Sequence, residues 1–166
     1  GLAPPAPVGT VLEAPGAALA AVSALARRVA GQGGAALLID YGSPRSGLGD
    51  TLQAVSRHAF ADPLAAPGDA DLTVHVDFAR MARAGREAGA AVHGPVPQGA
   101  FLESLGIAAR AASLSAKASP EQAAAVAAAR DRLTGDSPGM GTLFQVLALA
   151  DPRLPALPGL PRMDPP

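Results

Sequence analysis

The chain has 166 residues, with 13 Lys and Arg against 14 Asp and Glu and a formal net charge of −1. That balance offers no basic face for a phosphate backbone and argues against a nucleic-acid partner. The absence of cysteine excludes disulfide scaffolds and thiolate metal sites. With 3% aromatic residues, a chain long enough for one domain must build its core from small side chains, Leu, Val and a few Phe.

No run reaches the roughly 18 consecutive apolar residues of a membrane span; the nearest, 17–30, is interrupted by Arg27 and Arg28. Residues 1–16 lack the charged start and apolar centre of a signal peptide. A first residue of Gly1 rather than Met is expected of a truncated or processed product.

The first 13 residues are Pro-rich and read as a loose lead-in, with 9–13 as a short extended piece. Pro15 suits the first turn of a helix, where its missing donor costs nothing. Leu19, Val22, Ala26 and Val29 then recur at helical spacing opposite Arg27, and Gly31 supplies a stop.

The run Gly33-Gly34-Ala35-Ala36-Leu37-Leu38-Ile39-Asp40-Tyr41-Gly42 is short, apolar and bounded by glycines. It predicts a strand over 35–40, buried on both faces as in a parallel sheet. Asp40 would then stand at the carboxyl end, the edge where open α/β sheets bind ligands. Residues 42–49 are all turn chemistry and predict a loop over that edge.

Residues 51–58 and 71–76 are two β-prone pieces separated by the Pro/Gly-containing stretch 62–69, and β-branched Thr73, Val74 and Val76 support the second. Asp77 makes a good N-cap for a helix carrying Phe78, Met81 and Ala82 on one side and ending at Gly89. Residues 90–96 read as a strand closed by Pro97. Residues 98–112 read as a helix with Phe101, Leu102 and Leu105 inward, bent or split at Gly106. Ser119-Pro120-Glu121-Gln122 is a capping box that opens a helix to about Leu133, before Gly135. Residues 142–150 form another apolar run suited to a buried strand, and the Pro-rich tail 152–166 predicts an irregular terminus.

Each candidate for chemistry has a structural counterpart. Gly31-Gln32-Gly33-Gly34 precedes its strand, whereas a phosphate cradle needs strand, loop and then helix, so a helix-to-strand turn is the better account. Asp40 and Tyr41 are placed to hold a cationic or polar group, or else to cap the loop and pack over the sheet. His75 and Asp77, two apart, would share one side of a strand as an acid/base pair or electrostatic clamp, although Asp77 already has a capping role. Gln98 either bonds a ligand or stops the preceding strand. His58 and His93 are scattered, with no metal-ligand spacing. No Gly-x-Ser-x-Gly elbow supports a nucleophilic serine.

Taken in order, these segments resemble the MidA family. The match is carried by Leu38-Ile39-Asp40-Tyr41-Gly42, Gly49-Asp50-Thr51-Leu52-Gln53-Ala54-Val55 with His58, and Asp62-Pro63-Leu64. It continues through Asp71-Leu72-Thr73-Val74-His75-Val76-Asp77-Phe78, Gln98-Gly99-Ala100-Phe101-Leu102 and Leu105-Gly106-Ile107. Met140-Gly141-Thr142-Leu143-Phe144-Gln145-Val146-Leu147 completes it, so the resemblance covers about residues 12–150.

The resemblance implies an α/β fold: the carboxyl-terminal half of a Rossmann-like class I methyltransferase sheet that uses S-adenosyl-L-methionine. Residues 35–40 would be a fifth, parallel strand, 90–96 a sixth and 142–150 an antiparallel seventh. Residues 1–14 would be the lead-in, 15–150 the partial methyltransferase domain with a helical insertion at about 98–134, and 151–166 the tail. It also implies a protein substrate, methylated on an arginine of a respiratory complex I subunit or a bacterial equivalent. Asp40, Tyr41, His75 and Asp77 would form the acceptor side, with Asp77 or Asp40 orienting the guanidinium. The family's glycine-rich cofactor loop, acidic ribose contact and Asn-Glu strand tip have no counterpart in these residues, so no cofactor-binding residue is assigned. The expected partner is the amino-terminal half of the same enzyme, in a bacterial cytoplasm or, for eukaryotic relatives, a mitochondrion. Alone, the chain is expected to be inactive, unstable or prone to aggregate through an open strand edge, and a weak binder of S-adenosyl-L-methionine. An alternative from another class is a non-catalytic assembly module that has lost cofactor binding.

Overall fold

The computed structural model describes residues 6–57, 59–65, 68–137 and 139–163. His58 lies outside them. Helix α1 (Gly16–Gln32) turns Val22, Ala26 and Val29 inward, as their spacing dictates. It ends one turn-residue later than expected: Gly33, at φ +88°, bonds its N–H to the Val29 carbonyl, whereas Gly31 stays helical.

Strand β1 (Ala35–Ser43) runs three residues beyond Asp40, so Asp40 lies within the strand and Ser43 marks its tip. Strands β2 (Gln53–Ser56), β3 (Ala59–Ala61) and β4 (Asp71–Thr73) form a separate antiparallel sheet in the order β3-β2-β4. The sequence patterns point to β2 and β4 but not to β3, whose three exposed residues carry no buried-face signal. A two-residue strand, β5 (Val76–Asp77), leads into α2 (Phe78–Glu87), followed by β6 (Ala91–Pro97). The expected helix at 98–112 is split into α3 (Gln98–Ser104) and α4 (Ile107–Ser115) by Gly106, whose left-handed φ of +87° suits glycine. Helix α5 (Pro120–Thr134) opens with the full reciprocal capping box of Ser119 and Gln122. The last strand is β7 (Phe144–Ala150).

The main sheet has the order β5-β1-β7-β6. β7 runs antiparallel to both neighbours, pairing Ala35–Tyr41 of β1 with Ala150–Phe144 on one side and β6 on the other. Being central, it is the most deeply buried strand. One face packs Leu147 and Leu149 against Val22, Ala26 and Val29 of α1 and Phe78 and Ala82 of α2. On the other face Val146 and Ala148 meet Phe101 of α3 and Leu160. The described part of the tail, 152–163, is irregular, as expected, yet docked: Gly94 donates to Pro161 and Met163 to Val92, lining the outer edge of β6. Its root is fixed by Arg153, whose guanidinium grips Asp151 and holds that carboxyl below the ordinary range.

This second layer stops short of β1. Leu37 and Ile39 face the same side as their cross-strand partners Ala148 and Val146, but are 50% and 46% exposed. The expectation that 35–40 is buried on both faces is therefore corrected: α1 and α2 cover one face, and no described residue covers the other. The far edge of β1 is also mostly open, because β5 pairs only with Gly42 and Ser43.

Candidate functional site

At the carboxyl ends of β1 and β5 lies a cavity of about 300 Å³, at the small end for a ligand site. Its walls come from four segments: Glu13 to Pro15 ahead of α1, the tip of β1 at Ser43 with the loop to Thr51, Val74 and His75, and β5. Parallel pairing of Gly42 with Val76 and Ser43 with Asp77 brings those ends together. Gly42 is needed there, since a Cβ would collide with the Val76 carbonyl.

Polar bonds tie the four segments into one frame. The Thr51 amide and hydroxyl both donate to the Glu13 carboxylate at 2.8 Å. The same hydroxyl accepts the His75 backbone N–H at 2.9 Å. Arg80 donates from Nη1 to the Glu13 carbonyl at 3.1 Å, and its Nε lies 3.2 Å from Asp77 Oδ2. Asp77 Oδ1 accepts from the Arg80 amide and from the Ser46 hydroxyl, each at 2.9 Å.

The four expected site residues are thus distributed unequally. His75 and Asp77 both line the cavity. They do not share a strand, because β5 begins only at Val76. Asp77 takes the capping role anticipated for it and is charge-paired with Arg80 as well. Tyr41 does not line the cavity but stands behind it, with its ring edge-on to His75 at 5.9 Å and to Phe144 at 5.6 Å. Asp40 is set back from the cavity, accepting the Tyr41 N–H at 2.8 Å. Its cross-strand partner is Gln145, whose side chain donates to Thr142 while its buried Oε1 has no partner among the described residues. Gln98 is structural: its amide donates to the Leu133 carbonyl at the end of α5.

Glu13 and Thr51 escaped the sequence reading as site residues. One signal was present for Glu13, the only acidic residue before Asp40; Thr51 had no chemical signal of its own. Among the described residues, no group of three or more His, Cys, Asp or Glu is placed to hold a metal ion, and no helix is long and apolar enough to cross a membrane.

A family model described as "Putative S-adenosyl-L-methionine-dependent methyltransferase" matches residues 2–96. That span contains every cavity-lining segment. The chain is 42% identical over 130 residues to the mitochondrial protein arginine methyltransferase NDUFAF7 homolog of Drosophila melanogaster, covering 77% of this chain and 29% of that protein. It is 43% identical over 86 residues to the mitochondrial NDUFAF7 arginine methyltransferase of Rattus norvegicus, covering 52% of this chain and 19% of the relative. The chain therefore spans less than a third of either curated relative. A crystal structure of a COG1565 superfamily protein from Burkholderia thailandensis superposes with a TM-score of 0.76 at 33% identity, over 87% of this chain and 39% of that one. Another COG1565 superfamily member from the same organism, bound to S-adenosyl-homocysteine, gives 0.71 at 33% identity, over 85% and 37%. With a matched model across more than half its length and a sheet shared with these neighbours, the chain belongs to the MidA-type family of S-adenosyl-L-methionine-dependent methyltransferases.

Proposed function

We propose that this chain supplies the acceptor side of a methyltransferase that transfers a methyl group from S-adenosyl-L-methionine to a protein arginine. The single observation that carries the proposal is the cavity at the carboxyl ends of β1 and β5, inside the span matched by the family model. Methyl transfer is a displacement that depends on holding donor and acceptor in line, so a shaped acceptor pocket is the main protein contribution.

The described residues do not make a donor cradle. The two helices that directly follow strands are α2, opened by Asp77-Phe78, and α3, opened by Pro97-Gln98-Gly99. Neither start is a glycine-rich loop of the kind that lets backbone amides approach a cofactor. In this reading the donor is held by a further portion of the enzyme. What the chain contributes is the pocket: His75, steadied by Tyr41, presents an imidazole able to accept a proton. Asp77 fixes the mouth through Ser46 and Arg80. Asp40, set back from the cavity, would act only at a distance, through the Tyr41 backbone that it accepts a bond from.

The partner in this scheme is the amino-terminal portion of the same enzyme, which would add a strand along the open edge of β1 and cover Leu37 and Ile39. The family resemblance points to an arginine of a respiratory complex I subunit, or a bacterial equivalent, as acceptor. A bacterial cytoplasm is the proposed setting, while the curated relatives are named as mitochondrial.

The test is to express the contiguous coding region that carries this chain and supply it with S-adenosyl-L-methionine labelled in its methyl group. Label is expected in an arginine-containing protein fraction and not after substitution of that arginine by lysine. His75→Ala is expected to lower transfer by about 100-fold, the lower range for a proton-transfer group. A protein that binds the donor yet labels no protein nitrogen would overturn the function.

A further inference from the structure

We infer that Glu13, rather than Asp77 or Asp40, is the carboxylate that receives the cationic group of the substrate, a guanidinium, in the cavity at the end of β1. This assignment rests on the acceptor-side function proposed above and names the residue that would give it selectivity.

The three carboxylates differ in what already satisfies them. Asp77 is occupied on both oxygens: Oδ1 takes the Arg80 amide and the Ser46 hydroxyl, and Oδ2 faces the Arg80 guanidinium. A second cation there would have to displace Arg80. Asp40 does not line the cavity at all. Glu13 lines it, is half-buried, and is held only by neutral donors, the amide and hydroxyl of Thr51. It has no ion pair among the described residues.

A half-buried carboxylate without a counter-ion gains from any cation that can reach it, since partial desolvation strengthens the attraction. Its two oxygens offer about four acceptor positions; the Thr51 hydroxyl lies between them at 2.8 Å from each, and the outward position left on Oε2 suits a single N–H of a guanidinium. Arg80, the cation fixed closest in the frame, is turned away by its bonds to Asp77 and to the Glu13 backbone carbonyl. Arg45, also on the cavity wall, is exposed and unpaired among the described residues, so its charge opposes the entry of a substrate cation without occupying Glu13. Thr51 adds the geometric consequence. Because its hydroxyl binds Glu13 and also accepts the His75 backbone N–H, the Glu13 carboxylate and the His75 main chain share one hydrogen-bonded frame. The frame thus holds Glu13 in the same cavity wall as His75.

The assignment is tested by binding, with no methyl donor present, in the protein expressed from the full contiguous coding region. Fluorescence anisotropy would compare a labelled arginine peptide with the same peptide carrying citrulline, which keeps the shape and removes the charge. Tight binding of the arginine form, at least tenfold weaker binding of the citrulline form, and loss of that preference in Glu13→Gln are the expected results. Arg45→Gln should bind the arginine peptide equally or more tightly. Equal affinity for both peptides in the unsubstituted protein, or an unchanged preference in a folded Glu13→Gln, would overturn it. The peptide contrast needs no variant, so a Glu13→Gln protein that failed to fold would still leave a decisive measurement. Arginine binding through Glu13 without methyl transfer would sink the proposed function and keep this site. Transfer to arginine with Glu13→Gln binding normally would do the reverse.

Discussion

Gly42 has a sharper task than a turn glycine. β1 and β5 approach so closely that a methyl group at this position meets the Val76 carbonyl, and backbone cannot step aside as a flexible side-chain tip can. Gly42→Ala is expected to lower stability by about 1–3 kcal/mol and to part the two strands. Denaturant unfolding checks the first effect. Faster amide exchange at Ser43 and Val76 checks the second, and unchanged exchange would mean that the clash is absorbed elsewhere. Asp77 makes a different prediction. Its oxygen caps α2 through the Arg80 amide, so Asp77→Ala should cost about 1 kcal/mol while Asp77→Asn, an equally good cap, should cost much less in the same measurement.

These residues also show what the sequence made legible at the site. Capping follows from residue type and neighbours within one turn, so Asp77 could be placed before any coordinates. Asp40 was harder: the apolar run stops there, but hydrogen bonding carries the strand on to Ser43 through Tyr41 and Gly42, which no hydrophobic pattern marks. Glu13 was not legible as a site residue. Its partner Thr51 is 38 positions away, and only the fold brings a Pro-rich lead-in against the loop after β1.

Elements whose signals are local formed largely as their residues dictate. α1 follows its 3.6-residue spacing, α3 and α4 part at Gly106, and α5 begins where Ser119 and Gln122 satisfy each other's backbone donors. Ser119→Ala should therefore cost about 1 kcal/mol, read as a lower thermal midpoint. Helix α5 also holds α3 through the 2.8 Å contact of Arg130 with Glu103, whose carboxylate lifts the Arg130 pKa further. Because this pair is exposed, its removal is expected to matter less than the cap. Strand β3 was not anticipated, because its order comes from pairing with β2 rather than from any buried face. The tail's docking on β6 was equally silent in the sequence, being set by backbone bonds to Gly94 and Val92 that leave no side-chain pattern. At its root, the depressed Asp151 carboxyl gives a sign: the Arg153 tie is fully present above the ordinary Asp value of about 3.9 and is lost as pH falls through the lower folded value.

At the scale of the whole molecule, the unequal covering of β1 decides behaviour. Its run 35–40 has the composition of a strand packed on both faces, and the described residues pack only one. Leu37 and Ile39 lie half exposed beside backbone donors and acceptors that β5 leaves unpaired over most of the strand. An open apolar edge of this length is a template for pairing with another strand. The 166-residue chain on its own is therefore expected to self-associate, with a scattering signal that rises with concentration. Ile39→Lys places a charge on the uncovered face without touching the α1 and α2 side, so it should suppress association while leaving the secondary-structure spectrum unchanged. If the proposed amino-terminal portion covers this face, the same substitution in the protein expressed from the full contiguous coding region should have the opposite effect, destabilising it by burying an unpaired charge. Light scattering of both lengths, with and without Ile39→Lys, separates the two conditions. If the short chain stayed monomeric without the lysine, or the long one tolerated it, the open face of β1 would not be where the proposed amino-terminal portion docks.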